Sequence, residues 1–245
     1  MARREILITT SNGRCPATLH LPDRPGPGVI LYPDAGGARE VMREMGDRLA
    51  ALGYVALVPD VYYREGDWAP FDLSTAFGDP EERTRLFAVM GTLTPDRIDA
   101  DAEAFLDALA QQPEVTGDTV GLTGYCMGGR IALRVAATHA SRVAAVASFH
   151  GGNLANADDP NSPHHLVGRI SGVVLVAAAE GDASFPAEQA QLLEEVLTDG
   201  GVRHTVETYP AKHGYAVPDN PTYDELAAER HWQALESLYG GALAI

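Results

Sequence analysis

From residue 28 to the C-terminal end, short apolar runs alternate with longer segments whose apolar positions recur every three or four residues. The runs at 29–32, 54–58, 119–123, 143–148, 173–178 and 204–208 have the length and β-branched content of strands. The segment 38–52 places Val41, Met45, Leu49 and Leu52 on one helical face and meets a stop signal at Gly53. In 97–111, Ile98, Ala102, Phe105 and Leu109 do the same. Further helices are expected from Met127 to about His139, from Pro186 to about Thr198, and from Tyr223 to Tyr239. Apolar strands alternating with amphipathic helices imply an α/β fold, a mostly parallel central sheet with helices on both faces. Two further β-like runs, 5–10 and 17–21, flank Ser11-Asn12-Gly13 and predict an antiparallel hairpin at the sheet edge. No repeat, low-complexity tract or linker divides the chain, so 1–245 is expected to be a single domain. Residues 62–96 break the rhythm with Asp, Glu, Pro and aromatic residues, and fit either a surface loop or a pocket wall.

Composition narrows the function. At 245 residues with 45% apolar content, the chain can bury a sizeable core and still keep a pocket. Eighteen Lys+Arg against 34 Asp+Glu give a net charge of -16, a surface that repels nucleic-acid backbones and anionic membranes. Neither is therefore expected as a partner. Cys15 and Cys126 cannot build a disulfide framework. No signal-peptide pattern opens the sequence, and the longest apolar run, 172–179, is too short for a membrane span. A soluble, cytoplasmic protein is expected.

The chemistry concentrates at Gly124-Tyr125-Cys126-Met127-Gly128-Gly129, between an expected strand and an expected helix. This is the nucleophile-elbow pattern Gly-x-Ser-x-Gly with Cys in place of Ser. A sharp turn there needs glycines for space and lifts the central side chain above the sheet. A sulfur at a helix N-terminus is biased toward thiolate. The N–H of Met127 is placed to donate to an oxyanion. A small buried cysteine would be the plain alternative. Against it, Asp182 follows the 173–179 run and His213 lies in the loop after the last strand. The order nucleophile, acid, base is that of the α/β-hydrolases, and all three fall where open α/β sheets build their sites. Cys126, Asp182 and His213 are thus the expected triad, with Glu180 as the competing acid. His150 follows a strand and fits either a pocket lining or a satisfied near-core position. His164-His165 lies in a polar stretch and reads as solvated, and Cys15 as structural or incidental. No HExxH, paired CxxC or P-loop occurs, and neither metal nor organic cofactor is implied.

At these residues the sequence resembles the dienelactone hydrolase (carboxymethylenebutenolidase-like) family, a cysteine branch of the α/β-hydrolases. The likeness spans nearly the whole chain. It rests on Gly124 to Gly129, Gly181-Asp182 and His213-Gly214-Tyr215, supported by Pro33-Asp34-Ala35-Gly36-Gly37 with Met42-Arg43-Glu44, and by Val58-Pro59-Asp60-Val61-Tyr62. The resemblance implies a hydrolase of small esters or lactones acting through an acyl-thioester, with the N–H of Ala35 as second oxyanion donor beside that of Met127. It implies that an acidic residue, usually Glu, touches the resting thiol; Asp34 holds that place, one methylene shorter, so an altered contact is expected. Tyr125, Tyr215 and His150 join Asp34 as candidate pocket residues. The family's arginine four residues after the histidine is replaced by Val217, and Arg83 and Arg85 are the candidates for a second. Monomer is the family default, with a dimer left open. Two other classes remain: a non-catalytic ligand-binding protein of the same fold, and an acyltransferase using the same triad.

Overall fold

The computed structural model describes residues 2–66 and 68–243. Its sheet has eight strands: β1 (Ala2–Thr10), β2 (Gly13–Leu21), β3 (Gly26–Tyr32), β4 (Val55–Pro59), β5 (Val115–Tyr125), β6 (Val143–Phe149), β7 (Val173–Ala179) and β8 (His204–Tyr209). They run in the order β1-β2-β4-β3-β5-β6-β7-β8. β1 pairs antiparallel with β2, and β2 antiparallel with β4; every later pairing is parallel. The expected hairpin therefore forms one edge of the sheet.

Successive strand residues point to opposite faces, and the packing follows that rule. Ile30 and Tyr32 face a layer built from α3 (Pro95–Ala110), α4 (Met127–Thr138) and α5 (Ala187–Asp199), through Phe105, Leu133 and Leu197. Val29 and Leu31 face α1 (Glu40–Ala51) and α6 (Glu225–Ala242), through Leu49, Trp232 and Leu235. β3 is buried at all seven positions, as expected of a central strand covered on both sides. This is the α/β-hydrolase fold.

Two boundaries and one whole element depart furthest from the periodicity. β5 begins at Val115 because it also pairs with the start of β3, Gly26 opposite Val115, and resumes past a register shift. α6 begins at Glu225, not Tyr223, because the Asp224 carboxylate accepts the Ala227 N–H at 2.9 Å and caps it. Within 62–96 lies an unexpected helix, α2 (Pro80–Gly91). Asp79 caps it by accepting the N–H groups of Glu81 and Glu82, both at 2.9 Å, and Pro80 opens its first turn. Only Leu86 and Val89 of this helix are buried, so its apolar period is too thin to stand out in the sequence. Among the described residues, no helix is long and apolar enough to cross a membrane.

Candidate active site

The C-terminal ends of β3, β5, β7 and β8 converge on one place. β5 ends at Tyr125 and α4 starts at Met127, leaving Cys126 alone at the turn with φ 52° and ψ -116°. A non-glycine residue held there stores on the order of 1–3 kcal/mol of backbone strain. The surroundings enforce it: the Cys126 N–H donates to the Phe149 carbonyl at 3.1 Å, and the Gly129 N–H to the Cys126 carbonyl at 3.1 Å. The glycines are steric requirements. A Cβ on Gly124 would lie 2.0 Å from the Gly128 carbonyl oxygen, and one on Gly128 2.2 Å from that of Tyr32.

His213, in the loop after β8, links the other two groups. Its Nδ1 lies 2.6 Å from Asp182 Oδ2, and Cys126 stands beside it in the lining of the same cavity. Burial works to lower the imidazole pKa, but the Asp182 and Cys126 contacts outweigh it and push it up to about 10. For Asp182, burial works upward, yet the hydrogen bonds from His213 and Ser184 hold its carboxyl below the usual range. Ser184 supplies two of these, from its N–H at 2.8 Å and its hydroxyl at 2.7 Å, both to Asp182 Oδ1. Its Oγ is also 3.4 Å from His213 Nδ1. Sequence reasoning missed this serine, although Asp-x-Ser is a local signal for a carboxylate that folds back on its own loop. Glu180 is exposed and has no such geometry.

The N–H groups of Ala35 and Met127 have no intramolecular acceptor among the described residues, and both residues line the cavity at Cys126. Both N–H groups are therefore free to bind a ligand oxygen. Tyr62 braces this side, its buried hydroxyl donating to the Ala35 carbonyl at 3.1 Å and lying 3.2 Å from Met127 Sδ.

Asp34 does not touch Cys126 among the hydrogen bonds of the described residues. Its carboxylate is taken by Arg39, whose Nη1 and Nη2 donate to the two oxygens at 2.6 and 3.0 Å, and by the Gly36 N–H at 2.9 Å. Arg39 in turn donates to both oxygens of Asp219 at 2.7 Å. The shorter side chain favours this local clamp, since an Asp folds back on its own turn.

The cavity at Cys126 has a volume of about 560 Å3 and largely apolar walls, to which Phe77, Phe87 and Met90 contribute. Residues 62–96 therefore do supply a pocket wall, with Phe77 and Phe87 edge to face at 6.4 Å. Four expected pocket residues are not among its lining. Asp34 is clamped as described. Tyr125 and Tyr215 are buried, their hydroxyls on His231 Nε2 at 3.2 Å and the Ala177 carbonyl at 3.0 Å. His150 is buried behind His213, ring against ring at 5.1 Å, with both ring nitrogens unpartnered among the described residues. Burial and the neighbouring His213 keep it well below the ordinary histidine range, hence neutral. His164 is likewise not solvated: it is buried, with Nδ1 2.9 Å from Ser162 Oγ, because the stretch folds into a short turn against Leu154.

Neither Arg83 nor Arg85 lines the cavity, and Val217 is buried. Arg85 stacks on Phe71 at 3.7 Å and pairs with Glu82. The one arginine in the lining, Arg130, is held by Asp159 Oδ2 at 2.5 Å and by the Asn153 and Asn161 carbonyls at 2.7 and 3.2 Å. No group of three or more His, Cys, Asp or Glu side chains suited to a metal occurs among the described residues.

The model of the dienelactone hydrolase family matches residues 15–243. This chain belongs to the dienelactone hydrolase family. Members are hydrolases acting on ester bonds. A Salmonella typhi relative, provisionally named a carboxymethylenebutenolidase, is 29% identical, the match covering 88% of this chain and 78% of the relative. A dienelactone hydrolase-like promiscuous phosphotriesterase from metagenomic libraries is 28% identical, with a TM-score of 0.81 over 99% of both chains. A Klebsiella pneumoniae protein provisionally titled a dienelactone hydrolase superposes with a TM-score of 0.83 at 25% identity over 98% of both chains.

Proposed function

We propose that this family member is a thiol hydrolase of small, neutral esters and lactones, with Cys126 as nucleophile, His213 as base and acid, and Asp182 as the group that orients His213. The observation that carries the reading is His213, whose Nδ1 lies 2.6 Å from Asp182 while Cys126 lines the same cavity beside it. With its pKa raised, the imidazole holds its proton at neutral pH and is ready to act as the acid. The Cys126 sulfur attacks the carbonyl carbon, and the new oxyanion is received by the N–H groups of Ala35 and Met127. The C–O bond to the leaving group breaks as His213 donates its proton to the departing oxygen. What remains is an acyl-thioester on Cys126. His213, now neutral, takes a proton from water. The hydroxide adds to the thioester carbonyl, the C–S bond breaks, and the carboxylic acid leaves with the thiolate–imidazolium pair restored.

Neutral substrates are favoured because Arg130, the one arginine in the cavity lining, already has its charge answered by Asp159. A carboxylate would have to compete for it within a protein of charge -16. The protein acts in this reading as a single cytoplasmic domain and a monomer, without metal or organic cofactor. Initial rates on cis- and trans-dienelactone and on a neutral aryl acetate, with wild type and Cys126→Ala, test it. The neutral ester is expected to be the better substrate, and its turnover to vanish in Cys126→Ala. Turnover that survives the substitution would overturn the mechanism, and a preference for the anionic lactone would overturn the substrate class.

A further inference from the structure

A second cavity, of about 350 Å3, adjoins the one at Cys126, and Met90, Met127 and Arg130 line both. It lies between the junction of α2 and α3, the first turns of α4 and the turn at 159–163. Leu93, Ile98 and Ile131 make it apolar. Its charged groups are already satisfied: Arg134 donates to Asp99 at 2.9 and 2.6 Å, and Arg130 to Asp159. Paired guanidinium groups offer little to an anion, so the cavity suits an uncharged apolar group.

Two methionines stand in the shared wall. Met127 is steadied by the nearby Tyr62 hydroxyl, at 3.2 Å from its sulfur. Met90, half-buried near the end of α2, is an unbranched side chain that changes rotamer at low cost. A compact lactone needs only the space at Cys126. Two apolar cavities sharing a flexible methionine suit a longer molecule.

Resting on the hydrolase reading, we infer that the substrate is an elongated neutral ester: its carbonyl sits at Cys126 and one apolar arm passes Met90 into the second cavity. The arm belongs to either the acyl or the alcohol half, and the same chemistry serves both. Two substrate series distinguish them: p-nitrophenyl esters from acetate to decanoate, and acetate esters of ethanol to decanol. Each methylene buried in the second cavity is worth about a fourfold gain in kcat/KM. One series is therefore expected to rise by about a hundredfold or more across its length. Thr94→Trp fills the second cavity from a residue whose side chain is exposed and makes no cap to α3. It should remove about tenfold or more of the long-chain kcat/KM in that series and leave p-nitrophenyl acetate unchanged. Leu93→Trp should act in the same way.

Flat or falling chain-length profiles in both wild-type series overturn the inference, whether or not the variants fold. So do folded Trp variants that lose short and long substrates equally. The parent reading is tested separately by the loss of p-nitrophenyl acetate turnover in Cys126→Ala, so a failed chain-length profile leaves it standing.

Discussion

Replacing Arg39 by methionine isolates the clamp that took Asp34 away from the thiol. In the folded protein the Arg39 side chain is 9% exposed and that of Asp34 1%, while Asp219 is 46% exposed. Burial disfavours the Asp34 carboxylate, and the Arg39 hydrogen bonds oppose that effect. Arg39→Met keeps the bulk but leaves the carboxylate without its counter-ion. Breaking a buried pair in this way costs about 3–5 kcal/mol, a large share of the roughly 5–15 kcal/mol that holds a protein folded. At about 2–4 °C per kcal/mol for a chain of this size, the melting midpoint should fall by about 6–20 °C. Asp219→Asn disturbs the half-exposed arm of the same network and should cost about 1 kcal/mol or less. In Asp34→Asn/Arg39→Met no buried charge is stranded, since Asp219 is half-exposed, so the double variant should recover about 1–3 kcal/mol relative to the sum of the single changes. Guanidinium unfolding of wild type, the singles and the double gives all four values. A loss below about 1 kcal/mol for Arg39→Met, or an equal loss for Asp219→Asn, would refute the claim that Arg39 neutralises Asp34.

Three further outcomes are expected. In Asp182→Asn the amide oxygen can stay on the two Ser184 donors, which turns the NH2 group to His213 Nδ1 and favours the wrong tautomer, so kcat should fall about ten-thousandfold; steady-state kinetics of the folded variant checks it. His213 has its pKa raised from 6.5 to about 10, so its stabilising contribution is complete below 6.5 and is lost as pH rises through about 10. The melting midpoint should therefore decline over that alkaline window, and decline less in His213→Gln. Gly128→Ala drives a methyl to within 2.2 Å of the Tyr32 carbonyl oxygen and should cost about 3 kcal/mol or more in a denaturant melt. Gly240→Ala, with nothing within 4 Å of the added atom, serves as the harmless control.

The parts of this molecule that were legible in sequence are those governed by short-range rules. The all-buried β3 and the stripe of α1 follow from apolar period alone, and the elbow glycines from the space a strand-to-helix turn needs. Asp182 and His213 could be chosen because strand ends place them, and the geometry brings Asp182 rather than Glu180 to the imidazole. What escaped depends on which distant side chain arrives. Asp34 carries no mark in sequence of its Arg39–Asp219 clamp, 185 positions long at its far end. Tyr125, Tyr215 and His150 sit beside the motif residues yet point behind the site, because alternation along β5 and the loops turns them inward. α2 was hidden by its weak apolar face, although Asp79-Pro80-Glu81-Glu82 is a helix-start signal that was there to read.

The central claim is that Cys126 carries the acyl group. Rapid acid quench of wild type with p-nitrophenyl acetate, followed by peptide mass mapping, tests it most directly. One acetyl group on the Cys126 peptide, formed within the burst of nitrophenol, with Cys15 unmodified and no acetyl group in Cys126→Ala, is the predicted result. Steady turnover with no acyl group on Cys126 at any quench time would contradict it.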